Sequence, residues 1–598
     1  MSREADAGRV ELRWPGKRGP GEHTGPGLRL QVEQRIHGSG DDFDPRRNLL
    51  ICADNLLAMD ALLASHAGTI DLIYLDPPFA TGHDFVRTSF TEGEGEARGE
   101  LRTHAYHDRW PGGLAGFLRM LEPRLRLCHQ LLAPHGSLYL HVDPTVGHYA
   151  KILLDEIFGA ACFQREIVWR IGWLSGFKTR AHNWIRNHDL LFFYTRDPAR
   201  FTFNKQYLPH PEGYLRRDGK PPRGKGVPME DVWNANSAEF ALRGRDSLDS
   251  IQIKSFSREK TGWATQKNAS LLRRIITASS NPGDLVADFF CGSGTTVVAA
   301  AELGRRFLGC DCATPAIELA HTRLTETVPK DMPEGPGPSF DRCGLGVPER
   351  AVWLGPGGQA EHTRRLLRHH GAAPATGGLH GLRGEVAVWV GPSDAPVTRA
   401  DVHAGLVATA KQGLTSLDVL GWSWALGADE DLSAGTGVAL TCLQIRRELL
   451  DERAREGAAL GERPAFTLEW LAADDPHSVA VTLRGASLRR PERLEPGLRA
   501  AVVDWRELVE AWSVDFTSTS SVLHPTQRWH RTRTRPTLTL HSEPHRYADA
   551  GPHRVRVELL DRLGAAHALH FELHWRAGTL EVAPVFPLPP SGADPSTH

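Results

Sequence analysis

Asp284-Leu285-Val286-Ala287-Asp288-Phe289-Phe290-Cys291-Gly292-Ser293-Gly294 is a short apolar run that ends in an acid and breaks into a glycine turn. The run fits a buried parallel strand, and Thr295-Thr296-Val297-Val298-Ala299-Ala300-Ala301-Glu302-Leu303 behind it fits a helix stopped by Gly304. Strand, tight turn and helix predict an α/β sheet. Glycines in such a turn let a ligand approach the backbone, and the free amides and positive end of the helix favour a carboxylate or phosphate.

Arg306-Phe307-Leu308-Gly309-Cys310-Asp311 reads as the next strand. It ends in an acid about 20 residues beyond the first glycine, where nucleotide folds place a ribose ligand, so Asp311 is the candidate. The spacing does not say which nucleoside binds. The turn lacks the lysine-serine ending of a phosphate-binding P-loop, which disfavours a nucleotide triphosphatase.

Further back, Ile70-Asp71-Leu72-Ile73-Tyr74-Leu75 has the length and composition of a buried strand, and Pro77-Pro78 forbid its continuation because neither has an amide donor. Asp76 and Phe79 are thereby presented at the carboxyl edge of the sheet, where open α/β folds bind ligands. An acid and the Pro77 carbonyl suit the two hydrogens of an exocyclic amine, and Phe79 suits the face of an extruded base. Taken alone, the four residues also fit a strand-terminating turn with a core phenylalanine.

Leu72 to Gly82, Gly136-Ser137-Leu138-Tyr139-Leu140-His141-Val142-Asp143-Pro144, Thr265-Gln266-Lys267 and the Asp288 to Thr296 loop together resemble the β-class DNA amino-methyltransferases, above all the methylation subunits of type III restriction-modification systems. The likeness runs from about Asn48 to Val328. It implies a Rossmann-like, mainly parallel sheet with helices on both faces, and S-adenosylmethionine as methyl donor. It makes Asp76, Pro77, Pro78 and Phe79 the target-base pocket, and Asp288, Phe290, Gly292, Gly294, Thr295 and Thr296 the cofactor loop. It sets Asp311 on the ribose, Thr265, Gln266 and Lys267 over the methionine end, and Asp54 near the adenine. The sequence departs from the family at Ala264, Asn268 and Phe289, each where proline is common, and at Phe79, where tyrosine is frequent.

The implied reaction is in-line attack of an exocyclic amine of a flipped base on the sulfonium methyl, most simply N6 of adenine. Cytosine N4 methylation, a non-catalytic DNA-recognition subunit, and methylation of RNA or protein amides are the alternatives. Implied partners are double-stranded DNA, a helicase or endonuclease subunit of a restriction or defence system, and a second copy of the chain.

With 70 basic and 72 acidic residues the chain is not globally basic, so phosphate contacts must come from local patches. Arg216-Arg217-Asp218-Gly219-Lys220-Pro221-Pro222-Arg223-Gly224-Lys225 is such a patch. Its Arg216, Arg217, Lys220, Arg223 and Lys225 read as DNA contacts or as a solvated loop, and their place between the two motifs favours DNA. Eight cysteines without a C-x-x-C pair fit a reduced cytoplasm and no metal. No apolar run reaches the roughly 20 residues of a membrane span.

The length suggests several domains. We expect an N-terminal extension over 1–45, a catalytic domain over 46–328 with a recognition segment about 195–255, and a Pro/Gly-rich linker over 329–378. A small α/β domain over 379–500 would follow, carrying strands at Val386–Val390 and Leu417–Leu420, a helix capped by Thr398, and a strand-helix-strand unit from Val438 through Arg447 to Leu471. Alternating residues at Thr537–Leu540 and His553–Leu559 predict an antiparallel β-sandwich over 501–584, similar to polycystic-kidney-disease-type modules, with a tail over 585–598. Arg528, Arg531, Arg533 and Arg535 beside Trp529 read as a solvated rim or a DNA contact.

Overall fold

The computed structural model describes residues 10–585 except 18–26, 38–41, 80–83, 91–99, 109, 111, 171–181, 209, 211–212, 235–258, 328–336, 355–356, 427–431, 451–459, 474, 495–498, 501, 503 and 533–534. A ten-stranded sheet organises the first half. Its strands are β1 (Gln31–Ile36), β2 (Asn48–Cys52), β3 (Ile70–Leu75), β4 (Leu132–Val142), β5 (Phe163–Arg170), β6 (His188–Thr195), β7 (Val232–Trp233), β8 (Leu285–Asp288), β9 (Arg306–Asp311) and β10 (Phe340–Gly344). Across the sheet they run β1-β10-β2-β9-β8-β3-β4-β6-β5-β7. The stretch from β10 to β4 is parallel, whereas β1 and β6 run antiparallel to their neighbours.

The central strands are apolar because both faces are covered. Leu49, Ile51, Ile73, Leu75, Leu138, Leu140 and Ala287 point to one core with α1 (Asn55–His66), α2 (Leu114–Leu131) and α3 (Pro144–Phe158). Leu50, Leu72, Tyr74, Tyr139, Val286 and Phe307 point to the other, with α4 (Ala269–Ser279), α5 (Thr295–Glu302) and α6 (Thr314–Thr325). Each fully buried aliphatic side chain there contributes about 1.5–3 kcal/mol. The strand-turn-helix read from Asp284 to Leu303 is β8 and α5, and Gly304 follows at φ +71°.

The sheet extends past both ends of the 46–328 span. β1 lies in the expected extension, and β10 lies in the expected linker together with helices at Gly346–Leu354 and Gly358–His370. These segments read as irregular because their buried positions are charged. Asp341 takes Arg35 at 2.6 Å and Arg47 at 2.6 Å, and Arg342 pairs with Glu318.

A six-stranded sheet follows, in which Val386–Val390, Ser416–Gly421 and Ala439–Ile445 are parallel. The helix Arg399–Lys411 packs beside it, started by a capping box between Thr398 and Asp401. The second strand-helix-strand unit does not form among the described residues: Arg447–Leu450 is a short 3-10 turn. Ala465–Ala472 leaves this sheet to pair with Ser478–Ser487.

That hairpin packs on a five-stranded antiparallel sheet built from Val509–Asp515, Gln527–His530, His553–Asp561, Ala566–Arg576 and Thr579–Pro584. Phe466, Val481, Trp512, Val514, Val555 and Val557 share its core. His553–Asp561 buries alternate residues as expected. Thr537–Leu540 forms no strand; it is held by Trp512 Nε1 donating to the Thr539 carbonyl and Leu483 N–H donating to that of Leu540.

The sandwich docks on the first sheet. Leu523 exchanges backbone hydrogen bonds with Glu33 and Arg35, and Arg528 pairs with Glu318 at 2.7 Å. Arg531 is buried and donates to the Val509 and Arg506 carbonyls, and Arg535 pairs with Glu326. Arg528 and Arg531 therefore do not form a solvated rim, whereas Arg535 is exposed; Arg533 lies outside the described residues.

Candidate active site

Four acids stand at the carboxyl ends of adjacent parallel strands, and one cavity of about 130 Å³ gathers them: Asp54 after β2, Asp311 of β9, Asp288 of β8 and Asp76 after β3. Two segments far apart in sequence thus meet because β8 pairs with β3, Asp288 opposite Tyr74.

Asp288 organises the glycine loop. Its Oδ1 accepts the Phe290 N–H at 2.9 Å and its Oδ2 the Thr296 hydroxyl at 2.5 Å. Burial pushes the carboxyl up to about 7, against those two hydrogen bonds and with the help of Asp76 and Asp311. Asp311 braces the other side, accepting the Gly292 N–H and the Ala313 N–H, each at 2.9 Å. Gly294, at φ +77°, has no room for a side chain: a Cβ there would stand 2.6 Å from that of Ala320. The close packing of α5 on α6 therefore requires glycine.

Asp54 caps α1, accepting the Leu56 N–H at 2.9 Å, and receives Arg124 at 3.2 Å. Arg124 also donates to Asn55, whose amide donates to the Phe289 carbonyl at 2.6 Å. Phe289 itself is fully buried in the first core.

At the opposite wall, Lys267 Nζ donates to Asp76 Oδ2 at 2.5 Å and lies 5.3 Å from the centre of the Phe79 ring. Gln266 also lines the cavity, but its side chain is spent on its own loop, accepting from Thr261 and donating to the Glu259 carbonyl at 2.7 Å. Thr265 takes φ +60° at the turn that sends Lys267 inward. Trp263 closes over the glycine loop, its Nε1 within 3.0 Å of where a Gly292 Cβ would be. With this segment closed, the space is smaller than the roughly 300–1,000 Å³ of typical ligand pockets.

Of the expected residues, Asp54, Asp76, Pro78, Thr265, Gln266, Lys267, Asp288, Phe290, Gly292, Thr295, Thr296 and Asp311 line the cavity, while Pro77, Phe79 and Gly294 do not. The basic residues are elsewhere, on the excursion between the paired segments Tyr207–Leu208 and Val227–Pro228. There Arg216 pairs with Asp218 at 3.0 Å, and Arg217, Lys220, Arg223 and Lys225 are exposed.

Several lining residues escaped the sequence reading, among them Asn55, Tyr74, Trp110, Arg124 and Trp263. The Tyr74 hydroxyl contacts His141 Nδ1 at 2.7 Å, and His141 Nε2 lies 3.3 Å from Asp189. Burial alone would raise the Asp189 carboxyl; His141, Lys267 and Arg186 instead hold it down to about 2. A histidine inside the apolar run Leu138–Val142 was the one available signal. Arg124 and Trp263 carry none, since tertiary closure alone brings them in.

Residues 70–322 match the N6_N4_Mtase family, described as DNA methylase. The chain is 29% identical over 275 residues to the type II methyltransferase M.HpaI of Haemophilus parainfluenzae, covering 46% of this chain and 73% of that one. It is 30% identical over 207 residues to the type II methyltransferase M1.MboII of Moraxella bovis, covering 32% and 73%. It is 27% identical over 267 residues to the DNA adenine methyltransferase YhdJ of Escherichia coli K12, covering 43% and 77%. The family match spans the two motifs whose acids converge on the cavity, and the chain belongs to the DNA methylase family.

Proposed function

We propose that this cavity transfers a methyl group from S-adenosylmethionine to N6 of an adenine flipped out of double-stranded DNA. One observation carries the reading: an acid-Pro-Pro-Phe segment and an acid-led glycine loop face each other across one cavity at the carboxyl ends of neighbouring strands. The lining suits the donor. Asp54, Asp76, Asp288 and Asp311 outnumber Arg124 and Lys267 there, and S-adenosylmethionine carries a sulfonium and an ammonium cation.

In this reading Asp311 would hold the ribose and Asp54 the adenine side, while Phe290, Gly292, Gly294, Thr295 and Thr296 shape the loop around the methionine end. The bound donor supplies an electrophilic methyl group. Asp76 and the Pro77 carbonyl accept the two amine hydrogens, concentrating the nitrogen lone pair, and Phe79 stacks on the base. As the nitrogen–carbon bond forms, the methyl–sulfur bond would break with its electron pair left on the thioether of S-adenosylhomocysteine, and the amine proton would pass to Asp76. Lys267 must first give up Asp76, and aligning the reactants accounts for most of the expected rate gain, about 7–11 kcal/mol in favourable cases.

Adenine is favoured over cytosine by the likeness to an adenine methyltransferase and by the aspartate at position 76. Exposed Arg217, Lys220, Arg223 and Lys225, with Arg216, would meet the DNA backbone. The resemblance to type III methylation subunits extends the proposal to a helicase-nuclease partner and to a homodimer.

The test is single-molecule sequencing of DNA from cells expressing the wild type or Asp76→Ala, scored for modified adenine and cytosine. A motif carrying N6-methyladenine only with the wild type is expected. Methylated cytosine instead would overturn the choice of base, and methylation by Asp76→Ala would overturn the site.

A further inference from the structure

A second cavity, of about 660 Å³, lies where the three parts of the chain meet, bordered by β1, the start of the helix at Gly346–Leu354, the Trp422 turn and the strand carrying Arg556. Five arginines line it: Arg342, Arg350, Arg446, Arg447 and Arg556. Three carboxyl groups oppose them, those of Glu33, Asp42 and Glu558. Arg342, Arg447 and Arg556 are paired with Glu318, Glu349 and Glu558, which leaves Arg350 and Arg446 as the lining arginines without an ion pair among the described residues.

The polar groups of this wall are incompletely satisfied. Gln34 is 1% exposed, yet neither its amide nitrogen nor its oxygen has a hydrogen-bond partner. The register of β1 on β10 shifts between Val32 and Gln34, at the position that carries this side chain. Arg350 stacks on Trp422 at 5.3 Å and leaves its buried Nη1 without a partner, and Arg446 Nε lacks one too. An unsatisfied buried amide costs about 1–3 kcal/mol, so such a group calls for an occupant. Water could satisfy Gln34, but it would leave Arg350 and Arg446 without a counter-charge. Guanidinium forks match phosphate oxygens in pairs, and a space of about 660 Å³ suits a compact anion rather than duplex DNA.

We propose that this junction is a binding site for a compact phosphorylated anion, held by Arg350 and Arg446 with the Gln34 amide completing its hydrogen bonds. The site is separate from the methyl-transfer cavity and does not rest on that reading. It is nevertheless wired to it. Arg447 pairs with Glu349, whose Oε1 accepts the Asp54 N–H at 2.9 Å, so an anion competing for Arg447 would act on the residue that lines the first cavity.

The test is calorimetric titration of the full chain with pyrophosphate, which has no nucleoside and so no claim on the first cavity, and in parallel with ATP. Saturable one-site binding of pyrophosphate is expected, displaced by ATP. It should weaken at least about tenfold in Arg350→Ala and in Gln34→Leu, a loss equivalent to about 1.4 kcal/mol. Gln34→Leu removes no hydrogen bond from the free protein, so its thermal transition should equal or exceed the wild type's. This separates lost binding from lost folding, and Arg446→Ala repeats the test should Arg350→Ala misfold. Tighter binding of ATP than of pyrophosphate assigns the ligand a nucleoside end; equal affinities assign phosphate alone. No saturable binding at millimolar pyrophosphate, binding unchanged in both variants, or displacement by duplex DNA would overturn the site.

Discussion

Lys267 Nζ stands 2.5 Å from Asp76 Oδ2 with the Phe79 ring beside it, so a cationic nitrogen holds the place proposed for the target amine. The pair is largely buried, its side chains 12% and 15% exposed, and removing one partner leaves the other's charge poorly compensated. Lys267→Met should lower the unfolding free energy by about 1–3 kcal/mol. Added to Asp76→Asn, the same change should cost much less than the sum of the two single changes. Chemical denaturation of the four proteins in a double-mutant cycle measures both; strict additivity would mean that the contact is not formed in solution.

Gly294→Ala puts a methyl group into the 2.6 Å gap to Ala320 at a positive φ. It should destabilise the protein by about 1–3 kcal/mol and displace the loop that Asp288 and Asp311 brace. Weaker binding of S-adenosylhomocysteine should accompany a lower melting temperature. A variant with wild-type melting and affinity would show that α5 and α6 separate at no cost.

Asp288 gives a pH signature. Its carboxyl sits near 7 in the fold, mainly through burial, against an ordinary value near 4 in the unfolded chain. Between those values the folded state holds a proton that the unfolded state has released, so this group's contribution to stability falls as pH rises from about 4 to about 7 and is flat above. Asp288→Asn should remove that slope. A cationic ligand favours the ionised acid, so affinity for S-adenosylmethionine should rise through about pH 7 in the wild type and much less in Asp288→Asn. Titration calorimetry across this range reads both, and parallel profiles would remove Asp288 from the cofactor site.

Replacing Arg217, Lys220, Arg223 and Lys225 together by alanine should leave folding intact, since all four are exposed. If each meets one phosphate, the slope of log affinity for duplex DNA against log salt should shrink by about 3–4. An unchanged slope would return these residues to a solvated loop.

The strands that build the site were legible because they are continuous apolar runs. Ile70–Leu75, Leu285–Asp288 and Arg306–Asp311 are largely buried, and proline or glycine follows the first two. β10 was not legible, because its Asp341 and Arg342 look like surface residues until Arg35, Arg47 and Glu318 are found against them. Ala465–Ala472 was assigned to the wrong layer, since a strand's pattern gives its period and not its partner. The acids of the cavity could be named one by one, whereas the Lys267 contact with Asp76 could not. It depends on where the turn at Thr265 points, a tertiary property with no local trace.

The placing of β10 between β1 and β2 bears on how the protein may be cut. A fragment trimmed to 46–328 would keep both motifs yet strip β2 of one neighbour, baring the backbone amides and carbonyls of Asn48–Cys52. An unpaired apolar edge is a template for intermolecular strand addition. Such a fragment is expected to aggregate, and a soluble catalytic unit should carry the chain at least from Gln31 through Gly344.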